Sequence, residues 1–215
     1  MFEDIGDYRF WFFDLDGTLA DTDRDIRGAW KAAMADLGLV CENFDRDFVA
    51  GPPIDMMVER LFPGRCDAGL VADLRERFGA HYDHDGFPET REYPGVLAAV
   101  RRLRSAGAIT AIVTNKRYVG ALAMSRHFGW DDAFDGLYAG DMYKDGPIGK
   151  LAKPALLKLV MERLGAAPDE CVLVGDTAND FEAARANGVK SVAVPWGYGR
   201  PDELALADFR LEVNT

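Results

Sequence analysis

The stretch Arg9-Phe10-Trp11-Phe12-Phe13-Asp14-Leu15-Asp16-Gly17-Thr18-Leu19 decides how this chain is read. Residues 9–13 form a short continuous apolar run, the signature of a strand buried on both faces of a sheet. Side chains of an extended segment alternate between faces, so Asp14 and Asp16 can point the same way. Two carboxylates that close repel each other unless a cation lies between them or one keeps a proton. Gly17 and Thr18 supply a tight turn at the carboxyl end of the strand, where open α/β sheets bind their ligands. A bare Asp-x-Asp is usually an acidic turn. The buried strand before this one and the Gly-Thr-Leu after it set it apart.

Working outward, further strand-length apolar runs occur at residues 108–113, 171–174 and 191–194, with a weaker one at 134–139. Helical patterns separate them over Pro94 to Ser105, Tyr118 to Phe128, Pro154 to Leu164 and Asn179 to Ala186. Pro94 and Pro154 stand where a first helical turn accepts proline, and Gly107, Gly129, Gly165 and Gly188 stand where helices end. Such alternation predicts a parallel sheet covered on both faces. Residues 21–92 break the pattern with amphipathic helical stretches over Ile26 to Leu37, Ile54 to Leu61 and Leu70 to Tyr82, and no strand. The expected division is therefore a core of residues 1–20 and 93–215 and a helical insertion of residues 21–92.

Three more blocks carry residues suited to chemistry. Thr114-Asn115-Lys116 closes an apolar strand, and a hydroxyl with the amides of the following turn can cradle phosphate oxygens. Lys153 opens the helical run that begins Pro154-Ala155-Leu156, where an ammonium could neutralise a phosphate and a carboxylate together; Lys150, three residues earlier, is a rival for that role. Gly175-Asp176-Thr177-Ala178-Asn179-Asp180 follows another strand, and Asp176 and Asp180 share one face if a helix starts there. Each block alone has an ordinary explanation as a helix cap or a solvated surface. Three parallel strands bring their carboxyl ends together, and that convergence gives the blocks a common meaning.

The formal net charge is -11, which turns most of the surface against nucleic acid. A phosphate ligand would need a local reversal of sign, which a divalent cation held by clustered carboxylates provides. The three cysteines, Cys41, Cys66 and Cys171, form no metal-type pair and no disulfide framework, as expected of a reducing, cytoplasmic setting. The chain starts without a basic-then-apolar leader and holds no apolar run of membrane-spanning length.

The four blocks, in this order, resemble the haloacid dehalogenase-like superfamily in its phosphoglycolate phosphatase-like branch. The resemblance runs from about Arg9 to Leu211 and includes Gly51-Pro52-Pro53 in the insertion and the late Trp196-Gly197-Tyr198-Gly199. It implies an α/β fold: a Rossmann-like parallel sheet core flanked by helices, with an inserted α-helical cap that shields the site. It further implies Asp14 as nucleophile, Asp16 as general acid/base, Thr114, Asn115 and Lys153 as phosphate ligands, and Mg2+ held by Asp14, the main-chain carbonyl of Asp16 and Asp176, with Asp180 in support. Where a second proline often follows the first beyond the lysine, this chain has Lys153-Pro154-Ala155-Leu156. Asp16 separates phosphoryl transfer from dehalogenation, because a halide leaves without a proton. The expected substrate is a small phosphorylated metabolite, phosphoglycolate first, met by a monomer or homodimer without nucleic acid or membrane. A phosphomutase, a nucleotidase or pyrophosphatase, and a non-catalytic metabolite-binding protein are the alternatives. Lys31, Arg46 and Arg60 are candidates for reading a second anionic group on the substrate.

Overall fold

The computed structural model describes residues 1–83, 87–143, 145–146 and 148–212. Phe10–Phe13 form β1, and all four side chains are at most 1% exposed, the burial of a strand covered on both faces. In chain order there follow β2 (Ala20–Asp21), α1 (Asp23–Asp36), α2 (Phe44–Asp47), α3 (Ile54–Leu61), α4 (Ala68–Tyr82) and β3 (Arg91–Glu92). The alternating half comprises α5 (Val96–Ser105), β4 (Ile109–Thr114), α6 (Tyr118–Phe128), β5 (Gly136–Ala139), α7 (Lys153–Leu164), β6 (Cys171–Gly175), α8 (Ala178–Ala186), β7 (Lys190–Ala193), α9 (Pro201–Leu204) and β8 (Phe209–Arg210).

Six strands form one parallel sheet in the order β5-β4-β1-β6-β7-β8. β1 lies between β4 and β6, with Phe13 level with Ile112 on one side and Val174 on the other. Successive connections run outward from β1 in both directions, so its carboxyl end is the topological switch point where such sheets form a crevice. On one face Phe10 and Phe12 pack with Leu156, Leu157 and Val160 of α7 and Ala183 and Ala184 of α8. Burying one such leucine or valine contributes roughly 1.5–3 kcal/mol. On the other face Trp11 and Phe13 join Phe2 and Phe134 in an aromatic cluster with ring centroids 5.4–6.4 Å apart.

The chain divides into two compact units, Met1–Asp21 with Arg91–Thr215, and Thr22–Thr90. In the first unit the antiparallel ribbon of β2 and β3, with Ala20 opposite Glu92, marks where the chain departs and returns. The second unit is helical. α1 packs on α4 through Trp30, whose ring centroid lies 5.9 Å from that of Phe78, and Val58 and Leu74 are fully buried. Asp25 Oδ2 accepts hydrogen bonds from the Thr90 amide at 2.7 Å and hydroxyl at 2.6 Å, tying the start of the unit to its end.

Several details differ from the sequence expectation. The helix expected from Pro94 begins at Val96, because Gly95 takes a left-handed conformation (φ 80°) that no helix continues through. The ribbon β2–β3 and the edge strand β8 were not expected: two residues carry no periodicity, and pairing alone defines them. Among the described residues no helix is long and apolar enough to cross a membrane. All three cysteines are free, and burial pushes the Cys171 thiol up to about 12.

Candidate active site

The carboxyl ends of β4, β1 and β6 carry Thr114, Asp14 and Asp176 side by side. The Asp14 amide donates to Val174 O at 2.9 Å, continuing the sheet by one residue before the chain turns through Leu15–Leu19. Gly17 makes that turn at φ +80°, and a Cβ there would lie 2.2 Å from Asp176 Oδ2. Both the conformation and the close approach require glycine. The loop 196–199 presses in equally hard: a Cβ on Gly199 would lie 1.8 Å from the Asp176 carbonyl oxygen.

Asp176 is fully buried. Its Oδ1 accepts from the Thr18 hydroxyl at 3.1 Å and its Oδ2 from the Tyr198 amide at 2.7 Å. Each oxygen keeps lone-pair capacity for a cation. Burial raises its pKa well above the ordinary carboxylate range, and the charges of Asp180 and Asp14 add to the shift.

Lys153, the first residue of α7, is the cation set against Asp14, its side chain only 1% exposed. Its Nζ lies 2.8 Å from Asp14 Oδ1 and donates to Asp180 Oδ1. Burial alone would lower its pKa, but Asp14 and Asp180 outweigh burial and raise it, so the lysine stays charged. Asp14 behaves oppositely. Burial lifts its carboxyl to about 6, against the pull of Lys153 and with a further push from Asp180.

Asp180 does not lie beside Asp176 on one helical face, because α8 begins only at Ala178. Its carboxylate instead folds back over the helix start, where Oδ2 accepts from the Asp176 amide at 3.3 Å, the Thr177 amide at 3.1 Å and the Thr177 hydroxyl at 2.9 Å. With Lys153 on Oδ1, this carboxylate is occupied on both oxygens and orients its neighbours.

Thr114 is 1% exposed, and its Oγ1 accepts from the Lys116 amide at 3.1 Å, which leaves its hydroxyl the capacity to donate one hydrogen bond. Asn115 follows it, half-buried. Lys116 Nζ pairs with Asp16 Oδ1 at 2.8 Å, its side chain 4% exposed. The sequence expectation assigned Lys116 no role; the signal available was a lysine two residues past the end of a strand that runs beside the one carrying two aspartates. Lys150 is exposed, so Lys153 is the lysine placed against Asp14.

Asp14, Asp16, Asp176 and Asp180 oppose two ammonium groups, Lys116 and Lys153, which leaves a formal charge of two negative. Asp14, Asp176 and Asp180 each have a carboxylate oxygen within 4.8 Å of the others, and of the three Asp180 is already engaged on both oxygens. An all-oxygen set with two carboxylates of raised pKa fits a hard divalent cation, which would cancel the residual charge.

A family model described as haloacid dehalogenase-like hydrolase matches residues 11–194. The chain belongs to that family. Among relatives of these haloacid dehalogenase-like hydrolases, a phosphoglycolate phosphatase of Pseudomonas putida is 34% identical over 203 residues, covering 90% of this chain and 72% of its own. The tyrosine-protein kinase PtkA of Mycobacterium tuberculosis is 31% identical over 191 residues, 88% of this chain but 63% of its own. Among solved structures, a predicted phosphatase from Clostridium acetobutylicum superposes with a TM-score of 0.82 at 25% identity, covering 97% of this chain and 95% of that one. The chain is a phosphatase of the haloacid dehalogenase-like family. Of the residues that the resemblance singled out, Asp14, Asp16, Thr114, Lys153, Asp176 and Asp180 converge at one end of the sheet, with Asn115 beside Thr114. In the helical unit, Lys31 pairs with Asp45 and Arg46 with Asp47, both at 2.8 Å.

Proposed function

We propose that the chain hydrolyses small phosphomonoesters, phosphoglycolate first among them, with Mg2+ and through an aspartyl-phosphate on Asp14. The observation that carries this reading is Lys153, buried between Asp14 and Asp180 at the switch point of the sheet. A buried cation there holds Asp14 in place and presents positive charge to a phosphate in front of it. The phosphoglycolate phosphatases among its relatives support that choice of substrate.

Asp14, Asp176 and the main-chain carbonyl of Asp16 would hold the magnesium ion. Bound there, the ion supplies charge neutralisation between a carboxylate and a phosphate dianion that would otherwise repel. The Thr114 hydroxyl, Asn115 and Lys153 receive the phosphate oxygens. An oxygen of Asp14 attacks phosphorus, the bond to the leaving oxygen breaks, and Asp16 passes its proton to that oxygen. Asp16 then takes a proton from the attacking water, the Asp14–phosphorus bond breaks, and inorganic phosphate leaves. The helical unit is the proposed cap, and substrate choice is assigned to it.

A second reading comes from the relative named a tyrosine-protein kinase: the group on Asp14 passes to a hydroxyl acceptor instead of water. Phosphate release separates the two. Wild type and Asp14→Asn are compared on a panel of phosphorylated metabolites, with Mg2+ and with a chelator. Release that requires both the metal and Asp14 supports the hydrolase. A folded, magnesium-supplied wild type that releases phosphate from no compound overturns it.

A further inference from the structure

We infer that Lys116 is the positioning residue for Asp16, governing proton delivery to the leaving oxygen and not capture of the phosphate. The inference rests on the phosphatase reading above and assigns a role that the four sequence blocks leave open.

Lysine is seldom buried without a partner, yet the Lys116 side chain is 4% exposed, with its Nζ 2.8 Å from Asp16 Oδ1. The site thus contains two buried lysines, divided between the two aspartates of Asp14-Leu15-Asp16. Lys153 pairs with Asp14 and Asp180, and Lys116 pairs with Asp16. The division has a geometric reason. Asp16 stands at the start of the turn through Gly17, where two side-chain torsions must be fixed for its carboxylate to point one way. Proton transfer needs that carboxylate within about 2.6–3.2 Å of the leaving oxygen. An ammonium anchored elsewhere in the crevice holds it against the alternatives. Lys116 is so anchored, since its own amide donates to Thr114 Oγ1 at 3.1 Å, at the end of β4. One residue therefore fixes the phosphate-facing hydroxyl through its main chain and the acid/base carboxylate through its side chain.

A merely structural ion pair and a positioning one differ in their dependence on the leaving group. An alkoxide leaves poorly without a proton; p-nitrophenolate leaves readily without one. The experiment measures kcat/KM for the alkyl phosphate that wild type turns over fastest and for p-nitrophenyl phosphate, in wild type, Lys116→Gln, Asp16→Asn and the double variant. The ratio of the two values within one preparation is independent of the fraction of protein folded. The double variant removes both charges of the pair and leaves neither uncompensated.

Lys116→Gln is expected to lower the alkyl value roughly 10–100-fold, part of the about 10²–10⁴-fold that a positioned acid supplies, and the aryl value by less than about 3-fold. The double variant is expected to match Asp16→Asn, because the effect of Lys116 on turnover runs through the Asp16 carboxylate. Equal losses on both substrates, or a double variant falling to the product of the single losses, overturn the assignment while the phosphatase stands. A wild type inactive on both compounds overturns the phosphatase reading and this inference with it.

Discussion

The Lys153 ammonium lies 2.8 Å from Asp14 Oδ1 and also donates to Asp180 Oδ1, with 1% of its side chain exposed. One buried cation is thereby shared by a carboxylate on β1 and a carboxylate on α8. Removing it strands both anions. Lys153→Met is expected to abolish phosphate release and to lower unfolding stability by about 3–5 kcal/mol, the typical cost of breaking a buried ion pair from one side. Urea unfolding checks the second figure, and an unchanged midpoint would mean that water already solvates these carboxylates.

Asp14 carries the opposite burden. Burial, opposed by Lys153 and reinforced by Asp180, lifts its carboxyl from 3.8 to about 6. The folded chain binds that proton more tightly than the unfolded chain, so this group takes stability away as pH rises from about 4 to 6. Above pH 6 the loss is complete and on the order of 3 kcal/mol, at about 1.4 kcal/mol per pH unit. In chelator at neutral pH, Asp14→Asn should therefore melt above wild type, and the gap should close below about pH 4. Thermal scans across pH measure this directly; parallel curves for the two proteins would contradict it.

Gly17 is constrained twice, by its left-handed φ of +80° and by the 2.2 Å from its would-be Cβ to Asp176 Oδ2. Gly17→Ala is expected to cost roughly 1–3 kcal/mol in backbone strain and to displace the Asp176 carboxylate. Magnesium binding followed by calorimetry should weaken at least about tenfold, by loss of a well-placed ligand. Unaltered affinity would show that the loop gives way without moving Asp176.

Thr114→Val keeps the volume and removes the hydroxyl at the end of β4. If that hydroxyl binds phosphate, kcat/KM should fall roughly 10–100-fold, in proportion to one lost charge-assisted hydrogen bond of about 1.5–3 kcal/mol. Product inhibition by inorganic phosphate should weaken in parallel. Steady-state kinetics with phosphate as inhibitor test both, and a variant as sensitive to phosphate as wild type would exclude Thr114 from the anion site.

Much of this was legible from residue order. The apolar runs and intervening helices imply the parallel sheet, because strands buried on both faces need no alternation and helices show their period. Asp14, Thr114, Lys153 and Asp176 were findable because each closes a strand or opens a helix, and parallel topology gathers those ends. The helix start at Val96 was not legible, since it depends on the backbone of Gly95. Nor were β2, β3 and β8, which exist only through their partners.

The sequence by itself determined the sheet, the insertion and the four blocks, because hydrophobic period and turn chemistry are local properties written in residue order. Only the tertiary structure decided which charge meets which. It placed Lys153 and not Lys150 against Asp14, gave Lys116 to Asp16, and turned Asp180 back onto Thr177 and Lys153. Those pairings join residues far apart in the chain, Lys116 and Asp16 by 100 positions, and Thr18 and Asp176 of the same site meet across 158. Their strength comes from shared burial, which only the assembled core creates.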